Sequence, residues 1–474
     1  MQAFNPYMPS WEYVPDGEPH VFGDRVYVYG SHDRFNGYVF CMNDYVCYSA
    51  PVDNLADWRY EGVIYLKTDD PLNPDGAACL YAPDVTRGPD GRYYLFYALD
   101  KFSRISVAVC DEPAGHYQFL GYVHDQEGRI YGEREGDEHQ FDPGVLTEGE
   151  VTYLYTGFAG FDDPSRHGAM MTCLDKDMLT MLREPVYVVP SRPYSAGTGY
   201  EGHEFFEASS IRKFGDTYYF VYSSIVMHEL CYATSKSPDK DFVFGGVLVS
   251  NADLHIDTYK PADKPMFYGA NNHGGLEKIG DDYYIFYHRH TNGTVFSRQA
   301  MAEKVYMLED GSIPQVEMTS CGLNGGPLKG EGFYPAYIAC NLFHEKESLY
   351  TGGAGRNHFW LDSQLPRITQ DGRDGDEEQG YIINMGNSAT CGFKYFDMKG
   401  VCEIGLTVRG YCYGKYQIKT AWDGEVLAEI PLQSYNVWHE FRTPVAIPDG
   451  VHSLYFTYEG PGAAMLKGFT LYTK

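Results

Sequence analysis

The sequence contains little that points to a membrane, to export or to nucleic acid. Its first 15 residues, MQAFNPYMPSWEYVP, contain neither a basic region nor an apolar run, so no secretory signal is expected. No segment approaches the roughly 20 apolar residues of a membrane-spanning helix. Positive charge is also scarce, since 37 Lys and Arg stand against 65 Asp and Glu, a formal net charge of -28. This charge argues against nucleic acids, anionic membranes and acidic polysaccharides as partners, so a neutral ligand is expected.

The cysteines show no pattern of pairing. There are 11 of them, an odd number, without CxxC pairs or the spacing typical of zinc sites. We therefore expect reduced, mostly buried thiols and a cytoplasmic protein. Long apolar runs with a helical period are also missing, which favours strands over helices.

A tyrosine-rich tract recurs five times over the first 300 residues. Each copy has a short apolar or acidic lead-in segment before a tyrosine-rich strand, and the aligned tyrosines are Tyr27, Tyr94, Tyr153, Tyr219 and Tyr284. A repeat of about 65 residues is one supersecondary unit whose neighbours bury a shared face. Short β-branched and aromatic runs follow each tract, so each unit is predicted to be a four-stranded propeller blade. The alternative interpretation is a stack of hairpins in a sandwich.

The length of 474 residues favours two domains. The predicted fold class is all-β, with a five-bladed β-propeller over residues 1–320, a Gly-rich connector over 321–333 and a β-sandwich over 334–474. Within the last part, residues 415–430 alternate apolar and polar side chains, and Asp423–Gly424 is a hairpin turn signal.

The five lead-in segments differ at the positions that face the propeller channel. The innermost strand of each blade lines this channel, so equivalent residues of the copies converge near the axis. Those positions hold Asp16, Asp84, Asp142, Glu207 and His273. Carboxylates facing one cavity repel one another unless they bind a cation, share a proton or have separate tasks. Any one of these acids alone would be interpreted as a turn or cap residue, but together they predict a functional site.

These motifs resemble those of glycoside hydrolase family 43, and the resemblance covers roughly residues 4–320. The similar segments are PDGEPHVFGDRVYVYGSHD (15–33), FDPGV (141–145) and FEASSIRK (206–213). The resemblance implies a five-bladed propeller in which Asp16 is the general base, Asp142 orients and tunes its neighbours, and Glu207 is the general acid.

The resemblance also implies substrate and metal contacts. NNHGGL (271–276) is similar to the family's fifth-blade channel motif, so His273 is expected to contact a structural cation, with Ca²⁺ as the candidate, or an ordered water. YHRH (287–290) places Arg289 where the family has a sugar-contacting arginine; the alternative is a structural ion pair. The other expected substrate-binding residues are His32, Asp33, Asp84 and Phe141. No cofactor is expected to be required for the chemistry.

The first-blade motif departs from the family pattern at the base. The family has proline directly after the aspartate, whereas here Gly17 follows Asp16 and Pro19 follows Glu18. Glu18 is therefore the alternative base. Asp16 is preferred because it lies 11 residues before its aligned tyrosine, as Asp142 does.

The C-terminal part resembles, more weakly, the family 6-type carbohydrate-binding modules, mainly through DGVHSLYFTYEGPG (449–462). It could bind sugar through an exposed aromatic such as Trp438 or Tyr413. The alternative is that these aromatics pack in the core or between domains, and that the sandwich only stabilises the propeller.

The resemblance implies a cytoplasmic, inverting, exo-acting glycoside hydrolase that releases xylose or L-arabinose from short neutral oligosaccharides. Inversion needs a protonated carboxyl on one side of the bond and an ionised carboxylate on the other, and acids from separated blades supply that arrangement. One alternative is a galactosidase or galactofuranosidase on the same scaffold. Another is a sugar-binding propeller without turnover, which should have lost Asp16, Asp142 or Glu207; all three are present.

Overall fold

The computed structural model of the chain describes residues 2–344 and 365–474, so part of the predicted sandwich range lies outside the described residues. The described chain is built from 31 strands and four 3-10 turns, at Lys67–Asp69, Arg192–Tyr194, Gly322–Asn324 and Ala336–Ile338. None of the helices in this part of the chain is long and apolar enough to cross a membrane.

Five sheets form the blades of a propeller. The first blade contains β1 (Glu18–Phe22), β2 (Arg25–Tyr29), β3 (Tyr45–Pro51) and β4 (Arg59–Tyr65). The second contains β5 (Asp84–Arg87), β6 (Tyr93–Tyr97), β7 (Ser106–Cys110) and β8 (Gln118–Tyr122). The third contains β9 (Gly144–Glu148), β10 (Val151–Thr156), β11 (Gly168–Leu174) and β12 (Val186–Pro190). The fourth contains β13 (Phe205–Phe214), β14 (Thr217–Ser224), β15 (Glu229–Ser235) and β16 (Val243–Ser250). The fifth contains β17 (Leu276–Ile279), β18 (Asp282–His290) and β19 (Arg298–Val305).

The first hairpin of every blade follows from the repeated tract. The five aligned tyrosines all lie on the second strand of their blades. Each turn before that strand contains a glycine with positive φ, namely Gly23 (66°), Gly91 (88°), Gly149 (63°), Gly215 (63°) and Gly280 (63°). Glycine adopts this conformation without steric cost, so the same turn recurs and sets the register of each hairpin.

The innermost strands β1, β5, β9, β13 and β17 contact one another in that order, and β1 closes the ring against β17. A parallel bridge between Gly17 and Gly274 joins the first and fifth blades. The fifth blade has three strands where four were expected. The N-terminal segment lies along the edge of β19 instead. There the Asn5 side chain accepts a hydrogen bond from the N–H of Ala302 and donates one to its C=O. Residues from the start of the chain thus help to close the propeller.

Two further sheets form the sandwich. One has the order β20 (Leu328–Lys329), β25 (Ala389–Met398), β30 (Gly450–Glu459), β27 (Lys415–Lys419) and β28 (Ala428–Pro431), with β22 (Asn341–His344) also paired to β25. The other has the order β23 (Arg367–Thr369), β24 (Tyr381–Met385), β31 (Ala464–Thr473), β26 (Val401–Gly410) and β29 (Tyr435–Pro444), with β21 (Gly332–Pro335) paired to β31. The predicted all-β architecture of a propeller followed by a sandwich is confirmed. The segment predicted as a connector contributes β20 and the start of β21.

The two domains share one hydrophobic cluster. Leu276, Ile285 and Met301 of the fifth blade belong to the same buried cluster as Ile338 and Phe393 of the C-terminal part. At its edge the Lys394 ammonium group, fully buried, lies 3.0 Å from a carboxylate oxygen of Asp253 and 3.0 Å from one of Glu317. The sandwich is therefore packed against the propeller through a core.

Candidate active site

A narrow pocket opens at the end of the propeller channel where the innermost strands begin. It is lined by Asp16, Phe40, Cys41, Tyr81, Ala82, Phe141, Asp142, Glu207, Asn271, His273 and Arg298. Four of the five channel residues expected from the repeat thus meet in one cavity. A lining of aromatic rings with a few polar groups is the usual composition of a small-ligand site.

The backbone at the three acids has an unusual conformation. Asp16 and Asp142 have positive φ values of 59° and 44°, and Ala208, directly after Glu207, has φ of 70°. A residue with a Cβ in this region is strained by about 1–2 kcal/mol. Such strain persists only where the surrounding structure imposes it, and here it occurs at Asp16, at Asp142 and directly after Glu207.

Asp16 is held as a carboxylate. Its Oδ1 accepts a hydrogen bond of 2.9 Å from Arg298 Nη1 and lies 3.2 Å from His288 Nδ1. Burial alone would raise the pKa of Asp16, but the Arg298 guanidinium and the His288 ring hold this pKa well below its usual value. An ionised carboxylate in a closed pocket can accept a proton from water.

Glu207 is in the opposite state. Burial, together with the negative charge of Asp16, raises the pKa of Glu207 to about 7, against the opposing charge of Arg298. The neighbouring Phe206 is buried and packs against Phe158 and Phe161. Glu207 therefore retains a proton at neutral pH to a far greater extent than a carboxyl in water.

Asp142 and His273 lie beside these two acids. Asp142 Oδ2 accepts a 3.0 Å hydrogen bond from the N–H of Ala208, which joins the third blade to the residue after Glu207. Burial and the nearby Glu207 raise the pKa of Asp142 well above its usual value. Burial lowers the pKa of His273 to about 4, so its imidazole is neutral. His273 Nδ1 lies 3.7 Å from Asp142 Oδ2.

Glu18 and Asp84 lie outside the pocket lining. Glu18 Oε2 accepts hydrogen bonds from Ser210 Oγ (2.9 Å) and Arg212 Nη2 (3.1 Å). Asp84 pairs with His20 at 2.6 Å and accepts from the N–H of Val145. Asp84 therefore lies outside the pocket in which the substrate is expected, and Glu18 faces Arg212 instead of the acids of the pocket.

The buried cluster of Glu18, His20 and Asp84, with His273 beside it, has features that suit a cation. Glu18 Oε1 finds no hydrogen-bond partner in the described part of the chain, and it lies 3.9 Å from His273 Nε2. Ligand atoms of Glu18, His20 and Asp84 lie within 4.8 Å of one another. Carboxylate oxygens are the ligands that Ca²⁺ prefers. Burial and the charge of Asp84 raise the pKa of Glu18 to about 8 against the effect of Arg212, so protonation is the competing way to satisfy this oxygen.

The first-blade residues expected to bind sugar occupy other positions. His32 Nδ1 is 2.9 Å from the carbonyl of Asp44, and His32 does not line the pocket. Asp33 is fully buried and accepts a bidentate pair of hydrogen bonds, 2.8 and 2.9 Å, from Arg298. Asp33 therefore fixes the arginine that in turn contacts Asp16. Phe141 does line the pocket, edge-on to Tyr81.

The arginine of the pocket is Arg298, and the expectation for Arg289 needs correction. Arg289 is fully buried and donates to the carbonyls of Ala339 and Tyr337 and to Gln299 Oε1. The Arg289 guanidinium is therefore hydrogen-bonded at the boundary with the C-terminal domain and does not line the pocket. The sequence offered no clear signal for Arg298, because it begins the third strand of its blade, outside the repeated tract.

On the sandwich, the two aromatics singled out from the sequence differ in exposure. Tyr413 is 55% exposed and lies edge-on to the exposed Tyr411. Trp438 is covered on one face by the Arg409 guanidinium, 4.2 Å from a ring centroid, and meets the edge of Tyr381. Tyr413 is therefore the exposed one of the two, whereas Trp438 is half-buried.

Comparisons with known proteins give the family of the chain. The family model "Glycosyl hydrolases family 43" matches residues 14–313. A xylosidase/arabinosidase of Thermoclostridium stercorarium is 67% identical over 472 residues, covering 100% of this chain and 99% of that protein. A xylosidase/arabinosidase of Bacteroides ovatus is 27% identical, covering 67% of this chain and 99% of its own length.

Solved structures show the same fold at lower identity. The family 43 arabinoxylan arabinofuranohydrolase of Bacillus subtilis matches with a TM-score of 0.52 at 19% identity, covering 99% of this chain and 97% of that one. A family 43 enzyme of Xanthomonas citri matches with a TM-score of 0.52 at 22% identity, covering 67% of this chain and 95% of that one. The first of these matches extends over both domains.

Proposed function

We propose that this chain, a glycoside hydrolase that belongs to glycosyl hydrolases family 43, releases single xylose or L-arabinose units from the ends of short neutral oligosaccharides. The observation that carries the proposal is that Asp16 and Glu207 line one pocket and that their neighbours shift the pKa values of the two carboxyls in opposite directions. The Arg298 guanidinium holds the pKa of Asp16 below its usual value, and burial together with the charge of Asp16 raises the pKa of Glu207 to about 7. Separated pKa values of this kind assign the base and the acid.

In the proposed mechanism, Glu207 donates its proton to the leaving glycosidic oxygen while Asp16 accepts a proton from the attacking water. The two acids come from the first and fourth blades, and water attacks the anomeric carbon on the face opposite the leaving group. The product sugar therefore has the inverted configuration. Asp142, through its bond to the N–H of Ala208, holds the backbone beside Glu207. Arg298 holds Asp16 ionised and in position.

The narrow pocket supports exo action on a small terminal sugar. It is lined by the rings of Phe40, Tyr81 and Phe141 together with the carboxyls, His273 and Arg298. The relatives at 67% and 27% identity are both named xylosidase/arabinosidase, which supports a pentose as the sugar released. We place the enzyme in the cytoplasm because its 11 cysteines are all free thiols and because short oligosaccharides can be imported.

We also propose a channel cation below the pocket, held by Glu18 Oε1 and His273 Nε2 with retained waters. A solved relative is described as a calcium-free form. The cation would supply positive charge beneath the acids and would not contact the reacting atoms.

A panel of aryl glycosides tests the proposed substrate. We expect release from the β-xyloside and the α-L-arabinofuranoside, and none or far less from galactosides. A Beta-D-galactofuranosidase of Aspergillus niger is 23% identical over 69% of this chain, so a galactofuranoside belongs in the panel. Turnover of the galactofuranoside alone would contradict the pentose proposal, and turnover of none would favour a binding protein.

A further inference from the structure

A segment of the C-terminal domain reaches the rim of the pocket. Residues 367–374, here called the strap, consist of β23 and the chain that follows it. The strap contacts two loops of the propeller, the first-blade loop (residues 33–43) and the fifth-blade turn (residues 291–297). The first-blade loop contributes Phe40 and Cys41 to the pocket lining, and the fifth-blade turn packs against that loop through Phe296.

The inner side of the first-blade loop is tied to the catalytic groups. Phe40 and Cys41 line the pocket. The Arg298 guanidinium lies over the Phe40 ring at 4.8 Å, and Asp33 Oδ1 accepts from the N–H of Cys41 at 2.9 Å. Phe296 of the fifth-blade turn packs edge-on against Phe40 at 4.7 Å. Phe40 is therefore a wall whose position depends on both loops.

The strap holds the outer side of the same loop through Asp374. Its Oδ1 accepts a 2.7 Å hydrogen bond from the N–H of Phe35, and its Oδ2 accepts a 3.1 Å bond from Asn43 Nδ2. One carboxylate thus joins the two arms of the loop. The tip between them is exposed, with Tyr38 at 69%. Surface loops of this kind are mobile unless they are tied down, and hydrogen bonds to a carboxylate are stronger than neutral ones.

Deeper in the strap, two more residues fix the surroundings of this loop. Gln370 Oε1 accepts from the Tyr13 hydroxyl at 2.7 Å, and the Tyr13 ring stacks on Phe35 at 5.7 Å. Both Tyr13 and Gln370 are buried. Tyr13 lies three positions before Asp16, so this contact joins the strap to the segment that carries the base.

The fifth-blade turn is held by the first half of the strap. The N–H of Asn292 donates to the carbonyl of Ile368 at 2.7 Å, and Thr369 Oγ1 donates to Asn292 Oδ1 at 2.9 Å. Asn292 Nδ2 donates in turn to Asn36 Oδ1 of the first-blade loop at 2.7 Å. Strap, turn and loop form one hydrogen-bonded unit around the pocket rim.

We infer that the strap is a specificity-determining part of the active site, in which Asp374 is a positioning residue that sets the first-blade loop, and with it Phe40, against the bound sugar. This inference rests on the proposed function of the same pocket. It gives the C-terminal domain a role in substrate binding that requires no sugar site on the sandwich itself. Asp33, although it belongs to the same loop, stays joined to Arg298 by its own bidentate pair of hydrogen bonds, so we expect the strap to act on substrate binding more than on proton transfer.

Asp374→Ala compared with Glu378→Ala tests the inference. Glu378 is an exposed acid of the same acidic segment, so its substitution removes the same charge without touching the loop. We expect Asp374→Ala to raise KM for an aryl β-xyloside by about five- to tenfold, the size of one ordinary hydrogen bond, because Asp374 is itself exposed, with kcat within about twofold. Glu378→Ala should leave both constants within about twofold of the wild type.

Hydrogen exchange measured by mass spectrometry gives a readout that needs no substrate. In Asp374→Ala, peptides covering residues 33–43 should exchange faster, since the N–H of Phe35 loses its acceptor, while peptides of β25 and β30 stay protected. Faster exchange with an unchanged KM, or a raised KM with unchanged exchange, would overturn the inference. If the wild-type enzyme hydrolysed no pentoside, the proposed function would fail while the exchange result still reported on the loop.

Tyr13→Phe provides a second variant from the propeller side. It removes the hydroxyl that donates to Gln370 and keeps the ring that stacks on Phe35. We expect the same direction of change in KM and in exchange of residues 33–43, and the variant replaces Asp374→Ala should that protein fail to fold. If KM and the exchange of residues 33–43 both kept their wild-type values in Tyr13→Phe, and also in Asp374→Ala where that protein folds, the role of the strap would be overturned.

Discussion

At the residue scale, the site depends on carboxyls that occupy one pocket in different ionic states. Arg298 separates them, because its guanidinium contacts Asp16 and Asp33 and leaves Glu207 without an ion-pair partner among the described residues. Glu207 therefore meets the charge of Asp16 in a buried setting, which raises its pKa to about 7. Two carboxyl groups can thus serve as a base and an acid because their neighbours shift their pKa values in opposite directions.

Glu207→Gln should remove the proton donor and little else. Xylobiose has a poor leaving group, its second sugar, and we expect its hydrolysis to fall by about 10²–10⁴-fold. Aryl glycosides with good leaving groups should keep part of their rate. Steady-state kinetics across a series of leaving groups measure this. An equal loss for all leaving groups would contradict the assignment of Glu207 as the acid.

Asp16→Asn tests the base and its charge together. We expect turnover of substrates with good and with poor leaving groups to fall alike, by about 10²–10⁴-fold, because water must be activated in both. Steady-state kinetics on the same series of leaving groups measure this.

The pH profile tests the charge of Asp16. In the wild type, kcat/KM should fall as pH rises through about 7, where Glu207 loses its proton. In Asp16→Asn the negative charge that helps to raise the pKa of Glu207 is gone, so this limb should move to lower pH. A limb that stayed in place would show that another group causes it.

At the element scale, the repeat explains both what the sequence could predict and what it could not. The lead-in segment and first hairpin recur in every blade, so the register of Asp16, Asp142, Glu207 and His273 could be predicted from spacing alone. Arg298 begins the third strand of the fifth blade, which has no repeated motif, and its direction depends on packing against another blade. The expectation for Arg289 failed because side chains along a strand alternate between faces, and the sequence did not show that the face of Arg289 meets a second domain.

The inner strands also form the buried cluster below the pocket, and Glu18→Gln tests the cation proposed there. In the wild type, added Ca²⁺ should raise the thermal unfolding midpoint after chelation, because an ion bound only by the folded state stabilises it. Glu18→Gln should abolish this rise, whereas Glu277→Gln should keep it. Glu277 also contacts Arg212 but does not face His273, so it is the matched control. Absence of bound Ca²⁺ and of any shift in the wild type would remove the cation.

At the scale of the whole molecule, the two domains are expected to unfold together because they share a core and a buried ion pair. Lys394→Ala would leave the buried carboxylate of Asp253 and the half-buried carboxylate of Glu317 without their cation, and we expect a loss of about 3–5 kcal/mol in the free energy of unfolding. Lys399→Ala removes an exposed pair with Asp397 and should cost under about 1 kcal/mol. Urea unfolding curves measure both. Equal losses of unfolding free energy in the two variants would mean that the Lys394 ion pairs do not stabilise the domain boundary.

The central claim is that Asp16 and Glu207 act from opposite sides of one terminal pentoside. Proton NMR of the sugar released from a β-xyloside, recorded before the anomers equilibrate, tests it most directly. Attack by water activated at Asp16 on the face opposite Glu207 predicts α-xylose as the first product. Initial release of β-xylose would mean net retention and would contradict the account.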